Sequence, residues 1–509
     1  MDRSINTMGL VGTGVMGAGI AQIAAQAGVE VRLYDAREGA AVTARDNLAS
    51  TLGKLVAKEK ITQASADAAV ALLKPVTAIE ELAACDMVVE AIVENLDAKR
   101  GLLTQLEGIV DAECILATNT SSLSVSAIAT ACQHPQRVAG FHFFNPVPLM
   151  RVVEVIDGIA TDPAVSDALL DLARRMGHTG VRAKDTPGFI VNHAGRAYGT
   201  EALKILGEGV APQGDVDRIL REGAGFRMGP LELFDLTALD VSHPVMESIY
   251  AQFYNDPRYT PSPLTRQMLV AGRVGRKVGQ GFYRYQNGQM VDAPRPQPVP
   301  SVEQLPPVWV ATESADDQQK LAELLDALGA QVEEGDRPSE QALCLIAPYG
   351  DDATTAANRF GVDAARTVCV DLLTDLSRHR TLMMTPATRP DMRVAAHALF
   401  ARDGVGVTVI RDSVGFVAQR VLAMVVNLAC DIAQQRIASP EDIDQAVRLG
   451  LGYPQGPLAW GDSLGPRRLL TILERMLNVT GDPRYRPSHW LRRRALLGLS
   501  LRLDEPSAV

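Results

Sequence analysis

The sequence has little cysteine, no long apolar run and no excess of positive charge, and each absence excludes a class of protein. Its six cysteines in 509 residues form neither a C-x-x-C pair nor a metal-ligand spacing. This argues against a disulfide framework or a zinc site and predicts a reducing, cytoplasmic compartment. No apolar run reaches the ~18 residues that a membrane-spanning helix needs. The net charge of −10 argues against nucleic acid or an anionic membrane as a partner.

The length is too great for one hydrophobic core, and the pattern along the chain predicts five segments. Residues 1–184 alternate short apolar strands with helical stretches, which is typical of a doubly wound parallel α/β sheet. Helical patterns dominate 185–286, and the proline-rich stretch 287–307 predicts a linker. Segment 308–411 again mixes strands with helices but has no glycine-rich loop, and 412–509 is helical. We call 1–286 the N-terminal half and 308–509 the C-terminal half.

An internal repeat relates the two helical segments. "KDTPGFIVN" (184–192) aligns with "RDSVGFVAQ" (411–419), and "DVDRILREGAGFRMGP" (215–230) aligns with "DIDQAVRLGLGYPQGP" (442–457), both at an offset of 227. The second pair is identical at seven of sixteen positions. "DPRYTPS" and "DPRYRPS" continue the match at an offset of 226. The repeat predicts a duplicated all-α domain.

A glycine-rich loop stands between the first predicted strand and the first predicted helix. It reads G-x-G-x-x-G, and its three glycines are Gly12, Gly14 and Gly17. Val15 and Met16 lie between the last two glycines. In this context the first glycine permits a tight turn, the second lets a pyrophosphate approach the backbone, and the third allows close helix packing. The loop therefore predicts a Rossmann-type dinucleotide site.

Asp35 ends the next predicted strand, "VEVRLYD". A carboxylate here accepts hydrogen bonds from the ribose 2′-hydroxyl and repels a 2′-phosphate, which favours NAD over NADP. The nearby Arg37 weakens this prediction only slightly.

Polar residues follow the next two predicted strands, in "VVEAIVENLDAK" (88–99) and "LATNTSSLSV" (116–125). Ligands in such sheets bind outside the carboxyl ends of the strands. Glu94, Lys99, Asn119 and Ser121 are therefore expected to line the cofactor crevice. Capping of turns is the alternative role for the Asn and Ser side chains.

His142 and Glu154 lie in two adjacent apolar runs, "VAGFHFF" and "RVVEVI". One interpretation is a hydrogen-bonded core histidine with an edge glutamate. The other is a general base with the carboxylate that orients it, both at the sheet edge that carries the dinucleotide. Oxidation of a secondary alcohol needs such a base near pH 7, and a neutral imidazole serves. The second interpretation is preferred because of the predicted cofactor site.

Five motifs, in order over residues 5–286, resemble those of the (S)-3-hydroxyacyl-CoA dehydrogenases of fatty-acid β-oxidation. They are "GTGVMGAGIAQ", "VVEAIVEN", "NTSSL", "HFFNPVPLM-x-VVEV" and "DTPGFIVN". The resemblance implies that His142 is the catalytic base and Glu154 its partner, and that Ser121 and Asn192 bind the 3-oxygen and the thioester region of the substrate. The residues that it adds to the NAD site are Glu94, Lys99, Asn145 and Lys277.

The resemblance also implies a serine and a lysine that contact CoA after the second strand. Thr51 and Lys58 lie nearest in this sequence, and Ser50 and Lys60 compete for the role. The partner that the resemblance implies is thus an acyl-CoA substrate, and a homodimer is one assembly open to the chain.

The whole chain, with its linker and C-terminal half, resembles the long bacterial 3-hydroxyacyl-CoA dehydrogenases of phenylacetate catabolism. This resemblance implies 3-hydroxyadipyl-CoA as the substrate. The alternative is 3-hydroxybutyryl-CoA. In the C-terminal half Gln419 replaces Asn192, so we expect one active site. Two other classes of protein fit the sequence less well: a dehydrogenase of free β-hydroxyacids, which would need a lysine base, and a non-catalytic NAD-binding structural protein, which would not need His142 and Glu154.

Overall fold

The computed structural model describes residues 4–291 and 293–505, and these divide into two compact units. The first unit comprises residues 4–193, 432–452 and 504–505. The second comprises 194–291, 293–431 and 453–503. None of the described helices is long and apolar enough to cross a membrane. The five predicted segments stay a prediction, since the first unit takes 432–452 from the C-terminal half.

The first unit is built on one eight-stranded sheet. Its strands are β1 (Thr7–Val11), β2 (Glu30–Tyr34), β3 (Leu73–Pro75), β4 (Met87–Glu90), β5 (Ile115–Thr118), β6 (Val138–Phe143), β7 (Val152–Asp157) and β8 (Thr179–Lys184). They lie in the order β3-β2-β1-β4-β5-β6-β7-β8. This confirms the Rossmann-type sheet and the alternation of strands with helices predicted for residues 1–184.

Helices cover both faces of this sheet, so its central strands are apolar throughout. The helices are α1 (Val15–Gln26), α2 (Ala40–Ala57), α3 (Gln63–Leu72), α4 (Leu96–Glu107), α5 (Val125–Ala129) and α6 (Pro163–Arg175). One buried cluster includes Leu10, Ile20 and Leu169, and the other includes Val88, Leu103 and Leu116. The two clusters hold the ends of the strands, where the loops begin, in fixed positions.

One strand pair departs from the predicted parallel sheet, because β6 and β7 are antiparallel. The expectation that Glu154 ends its strand was wrong, since it lies inside β7. Its expected place beside His142 is confirmed, because the two residues are directly opposite in the register. The eight residues between β6 and β7 are too few for a parallel crossover, which needs about a dozen or more.

Helices follow the first sheet, as predicted, and a short hairpin follows the helices. The helices are α7 (Val191–Ala194), α8 (Arg196–Gly207), α9 (Gln213–Arg218), α10 (Pro230–Thr237), α11 (Leu239–Gln252) and α12 (Pro263–Val270), with a π-helix at Ile219–Gly223. The hairpin, β9 (Arg284–Gln286) and β10 (Gln289–Val291), was not predicted.

A five-stranded sheet in the second unit confirms the reduced Rossmann-like fold. Its strands are β11 (Val308–Thr312), β12 (Leu343–Ala347), β13 (Thr367–Val370), β14 (His379–Met384) and β15 (Gly406–Ile410), and its helices are α13 (Ala315–Ala327), α14 (Ala353–Phe360) and α15 (Pro390–Phe400). The order β11-β12-β13-β14-β15, with only β13 and β14 antiparallel, repeats the pattern from β4 to β8. Four of these strands have apolar patterns in the sequence, and β14, which begins with His379 and Arg380, was not predicted.

The last helices repeat the plan of α8 to α12. They are α16 (Ala418–Gln434), α17 (Pro440–Leu451), α18 (Pro457–Leu464), α19 (Pro466–Thr480) and α20 (His489–Leu497). Within the second unit an arginine of each copy forms an ion pair with a carboxylate of the other copy: Arg258 Nη1 lies 2.8 Å from Asp431 Oδ2, and Arg484 Nε lies 3.3 Å from Glu201 Oε2. Each arginine belongs to one of the two repeated D-P-R-Y turns, so the contact is pseudo-symmetric.

Candidate active site

The glycine loop has the shape that its spacing predicts. Gly12 has φ +95°, and a Cβ there would lie 2.8 Å from the Ala91 carbonyl oxygen. A Cβ on Gly17 would lie 1.9 Å from the Gly12 oxygen, whereas Gly14 has open space on its Cβ side. No side chain caps the first turn of α1, which begins at Val15. The open backbone at Gly14 and the uncapped N–H groups of the helix fit a pyrophosphate.

Asp35 follows β2 and has a nearly buried carboxylate. It accepts hydrogen bonds from the backbone and hydroxyl of Thr13, at 2.9 and 2.7 Å, and from Arg37 Nε at 3.0 Å. The bond from Arg37 is the largest of the effects that hold the pKa of Asp35 far below its usual range. Asp35 is therefore an anion placed to accept from a ribose. Thr13 was not predicted, because its hydrogen bonds to Asp35 become visible only when the loop is folded.

Lys99 was predicted to line the cofactor crevice, but it lies almost fully buried on α4. Its Nζ contacts Glu90 Oε1 at 2.8 Å and lies 3.5 Å from Glu94 Oε2. Glu90 also accepts a hydrogen bond from Thr118. Glu90 was not predicted as part of the site, although it binds Lys99 there. A carboxylate at the end of the apolar strand β4 was a signal in the sequence that could have identified it. The geometry makes Lys99 a support for Glu94.

Glu94 organises the loop after β5. Its Oε1 accepts from the Ser121 backbone at 2.8 Å, the Ser121 hydroxyl at 3.1 Å and the Thr120 hydroxyl at 2.8 Å. Burial raises the pKa of Glu94, but Lys99 and these hydrogen bonds outweigh it, and the pKa is lowered. Ser121 has a single hydroxyl hydrogen, so it can donate to a ligand only by releasing Glu94.

Two asparagines stand near this edge of the sheet. Asn119 accepts a 2.8 Å hydrogen bond from the Phe143 backbone, which leaves its amide nitrogen as the group for a ligand. Asn145 is exposed and follows β6, at a cis peptide bond to Pro146. Both positions agree with the roles predicted for them and do not test those roles.

His142 and Glu154 form a buried pair at the centre of the site. His142 Nδ1 lies 2.7 Å from Glu154 Oε2, and the two side chains are 5% and 0% exposed. The rings of Phe144 and Phe189 flank the imidazole, at centroid distances of 4.5 and 5.8 Å. With the proton on Nδ1 shared with the carboxylate, Nε2 is the nitrogen that can accept a proton from a substrate.

A tight turn after β8 holds the other oxygen of Glu154. Gly188 and Phe189 both have positive φ, +76° and +48°, and the following N–H groups of Ile190 and Val191 each donate to Glu154 Oε1 at 2.9 Å. A non-glycine residue in this region is strained, which the surrounding packing must offset. The sequence analysis missed these donors, although the repeated G-F pair was a signal for the turn.

Asn192 follows this turn, and its amide nitrogen lies 3.5 Å from the Ser121 carbonyl oxygen. The structure therefore brings Asn192 and Ser121 together, on the same side of the first unit as Glu94. This agrees with a shared substrate-binding role for the two residues.

The remaining predicted residues, Thr51, Lys58 and Lys277, make none of the hydrogen bonds described above. Thr51 and Lys58 are exposed and two helical turns apart on α2, with Lys58 capping its end. Thr51 and Lys58 are seven positions apart and therefore share one face of the helix. Ser50 lies about 100° around the helix axis from Thr51, and Lys60 lies beyond the end of the helix. Lys277 belongs to the second unit, where its ammonium pairs with Asp240.

The sheet of the second unit lacks the base and its carboxylate. Glu154 pairs with Val181 in the first sheet, and Thr381 pairs with Thr408, 227 positions beyond Val181, in the second. Thr381 thus replaces Glu154. Asp371, whose N–H donates to the Thr381 carbonyl, takes the place of His142.

The other two positions of the cluster have also changed. When the β12–β13 register is aligned with the β5–β6 register, Tyr349 occupies the position of Ser121. Gln419 occupies the position of Asn192 in the internal repeat. Gln419 Nε2 donates to Asp371 Oδ1 at 3.0 Å. Burial raises the pKa of Asp371 to about 6, but Gln419 occupies one of its oxygens and Thr381 offers no carboxylate to orient a base.

A dinucleotide loop beside a buried His–Glu pair defines the class of protein as a nicotinamide-dependent oxidoreductase of Rossmann type. Two family profiles match this chain: "3-hydroxyacyl-CoA dehydrogenase, NAD binding domain" over residues 7–186, and "3-hydroxyacyl-CoA dehydrogenase, C-terminal domain" over 188–285 and again over 415–502.

Similar proteins fall into long and short forms. The chain is 38% identical to the 3-hydroxyadipyl-CoA dehydrogenase of Escherichia coli K12 over 97% of its own length and 98% of the relative. A crystal structure of 3-hydroxybutyryl-CoA dehydrogenase from E. coli K12 matches 97% of the chain and 99% of that protein at 37% identity, with a TM-score of 0.85. A short relative, a probable 3-hydroxybutyryl-CoA dehydrogenase of Deinococcus radiodurans, is 42% identical over 54% of this chain and 99% of that one.

The chain belongs to the 3-hydroxyacyl-CoA dehydrogenase family. It is accordingly an NAD-dependent oxidoreductase, and the resemblance on which the sequence analysis relied is confirmed. The C-terminal domain profile matches twice, which confirms the repeated helical domain.

Cofactor choice gives a first prediction. We expect the protein to prefer NAD over NADP by about 100-fold in kcat/KM, and Asp35→Ser to reduce this preference ~10-fold or more, because a 2′-phosphate meets the Asp35 anion. The substitution also releases Arg37, which is 74% exposed and can then face the phosphate. Initial rates with each cofactor measure the effect. Equal kcat/KM values in the unmodified protein would contradict the role of Asp35.

Proposed function

We propose that this protein oxidises the 3-hydroxyl of an (S)-3-hydroxyacyl-CoA, with His142 and Glu154 as the pair that removes the proton. The observation that carries the proposal is the 2.7 Å contact between His142 Nδ1 and Glu154 Oε2, buried in the first unit and absent from the equivalent positions of the second sheet. A buried imidazole with an oriented tautomer is what alcohol oxidation needs.

In this proposal the proton moves from the substrate hydroxyl to His142 Nε2. Glu154 keeps the Nδ1 proton in place and stabilises the imidazolium that forms, since its other oxygen is held by two backbone N–H groups. NAD, when bound, supplies the hydride acceptor. Ser121 and Asn192 would position the 3-oxygen and the thioester, and Asn119, Asn145 and Lys277 would complete the cofactor site. Thr51 and Lys58 would contact CoA.

We further propose 3-hydroxyadipyl-CoA as the substrate. The support is that a full-length relative, covered over 98% of its length, is an E. coli 3-hydroxyadipyl-CoA dehydrogenase. A place in phenylacetate degradation stays a prediction that accompanies this substrate.

A second candidate is 3-hydroxybutyryl-CoA. It is favoured by the full-length E. coli crystal structure of that description and by the short relatives of the N-terminal half. The two candidates differ in chain length and in a distal carboxylate.

A substrate panel distinguishes the candidates. We expect kcat/KM for 3-hydroxyadipyl-CoA to exceed that for 3-hydroxyhexanoyl-CoA by about tenfold or more, because only the former carries the distal carboxylate and one specific charge contact is worth ~1–3 kcal/mol. The six-carbon monocarboxylate is thus the matched control. A kcat/KM for 3-hydroxybutyryl-CoA above that for 3-hydroxyadipyl-CoA would support the second candidate.

The reaction class is tested by NADH oxidation with acetoacetyl-CoA and, as a control, free acetoacetate. Turnover of the thioester alone supports the proposal. Turnover of the free acid, or of neither compound, would overturn it.

We also propose a cytoplasmic location without nucleic-acid partners, which is supported by six buried thiols without disulfide bonds and by the net charge of −10. A homodimer stays a proposal about assembly.

A further inference from the structure

One helix of the C-terminal half lies in the first unit, against the strands that carry the proposed active site. This helix, α17, packs on β7 and β8. Its approach is fixed by a 2.8 Å hydrogen bond from the Lys184 N–H to the Ile437 carbonyl and by a bond from the Arg182 N–H to the Asp442 carboxylate. A segment more than 240 positions away in the chain is thus a part of the unit that holds His142 and Glu154.

α17 comes close to the strands at Gly450. A Cβ there would lie 3.0 Å from Val191 Cγ2, 3.1 Å from Val191 Cγ1 and 3.5 Å from Val152 Cγ1. Since the φ of Gly450 is not positive, glycine is needed here for space and not for conformation. A larger residue at 450 would push on Val191.

Val191 is one of the two residues that hold Glu154. Its N–H and that of Ile190 donate to Glu154 Oε1, while Glu154 Oε2 binds His142 Nδ1. Contacts therefore run without a break from Gly450 through Val191 and Glu154 to the imidazole. All of these residues belong to the first unit.

The equivalent glycine of the first helical copy shows no such contact. Gly223 lies 227 positions before Gly450, and the nearest atoms to a Cβ on it would belong to Thr374 and His379, at 3.7 and 3.8 Å. The residue equivalent to Val191 is Ala418. The tight contact is thus found beside the sheet that carries the His–Glu pair and not beside the sheet that has lost it.

We infer that α17 is a positioning element for the active site, and that Gly450 sets the orientation of Glu154 by the space it leaves for Val191. The C-terminal half, which has lost the chemistry at its own sheet, thereby supports the chemistry of the N-terminal half. The inference rests on the proposed roles of His142 and Glu154.

The test is Gly450→Val in the full-length protein. We expect kcat to fall about tenfold to 100-fold, because displacement of a catalytic group by ~1 Å can cost this much. The KM values for the cofactor and for acetoacetyl-CoA should change less than about twofold. Arg448→Ala, an exposed position on the same helix, is the matched control and should retain full kcat.

Two double variants separate positioning from general destabilisation. In a Glu154→Ala background Gly450→Val should lower the residual kcat less than about twofold, because the group on which it acts is gone. Val191→Ala should restore most of the kcat lost in Gly450→Val by removing the clash. If Gly450→Val does not fold, the smaller Gly450→Ala takes its place in both comparisons.

An equal loss in the two backgrounds, or unchanged kcat in Gly450→Val, would overturn the inference. Failure of the proposed function has a different signature: His142→Ala would then keep near-normal turnover. If His142→Ala is inactive and Gly450→Val is not impaired, only the positioning role is lost.

Discussion

Replacing His142 with alanine is expected to lower kcat about 10³-fold or more, with little change in NAD binding. General acid–base catalysis contributes ~10²–10⁴-fold, and this substitution removes the only imidazole that is paired with Glu154 in the first unit. The dinucleotide loop and Asp35 are not touched by the change, so the cofactor should still bind. Initial rates and an NAD titration measure the two effects separately.

A second buried histidine offers the control. Both ring nitrogens of His178 lie near backbone carbonyl oxygens, at 3.1 and 3.0 Å, so His178→Ala should reduce stability and leave kcat of the folded protein nearly unchanged. Glu154→Gln should be less severe than His142→Ala, because an amide can still orient the ring but cannot stabilise an imidazolium. Near-normal turnover of His142→Ala would contradict the assignment.

The features that local sequence could predict are those with a local cause. The glycine loop and Asp35 follow from backbone requirements within one strand–turn–helix unit, and the structure has the predicted shape there. The strands of the first sheet were predictable because both faces are covered, which requires apolar residues throughout each strand.

The direction of β7 was predictable in principle and was missed. Only eight residues separate Phe143 from Val152, which excludes a parallel crossover. With that constraint, the antiparallel register would have placed His142 opposite Glu154 from the sequence alone.

The other surprises depend on contacts between distant parts of the chain. The fit of Gly450 against Val191 joins residues 259 positions apart. The loss of the second site was visible at Gln419, but the replacement of His142 by Asp371 needed the register of strands that the sequence did not reveal. Non-local packing of this kind leaves no local pattern.

A buried ion network in the second unit joins the two helical copies and leads to the last prediction. Arg420 Nη2 lies 2.7 Å from Glu201 Oε1, and both side chains are 0% exposed. The Tyr485 hydroxyl donates to the same Glu201 oxygen at 2.8 Å. Burial raises the pKa of Glu201, but Arg420 and Arg484 outweigh it and keep the pKa low. The N-terminal half contributes Glu201 and Glu208 to this network, and Glu208 Oε2 lies 2.6 Å from Arg420 Nη1.

A fragment that ends at Val291 is therefore expected to aggregate or to form a new dimer. It would leave Glu201 without its arginines, and breaking a buried ion pair costs ~3–5 kcal/mol. It would also remove α17 from β7 and β8 and expose the apolar surface that the second helical copy covers in the second unit. A new dimer would supply the same partners from another chain, as a pseudo-symmetric contact allows.

Light scattering coupled to size-exclusion chromatography gives the assembly state of the fragment, and NADH oxidation with acetoacetyl-CoA gives its activity. Glu201→Gln in the fragment is the matched variant: it removes the uncompensated charge and should partly restore solubility, but it should not restore kcat, because α17 is still missing beside Val191. Co-expression of residues 293–509 should restore both. A fragment that stays a soluble, fully active monomer would show that neither the ion network nor α17 is needed by the N-terminal half.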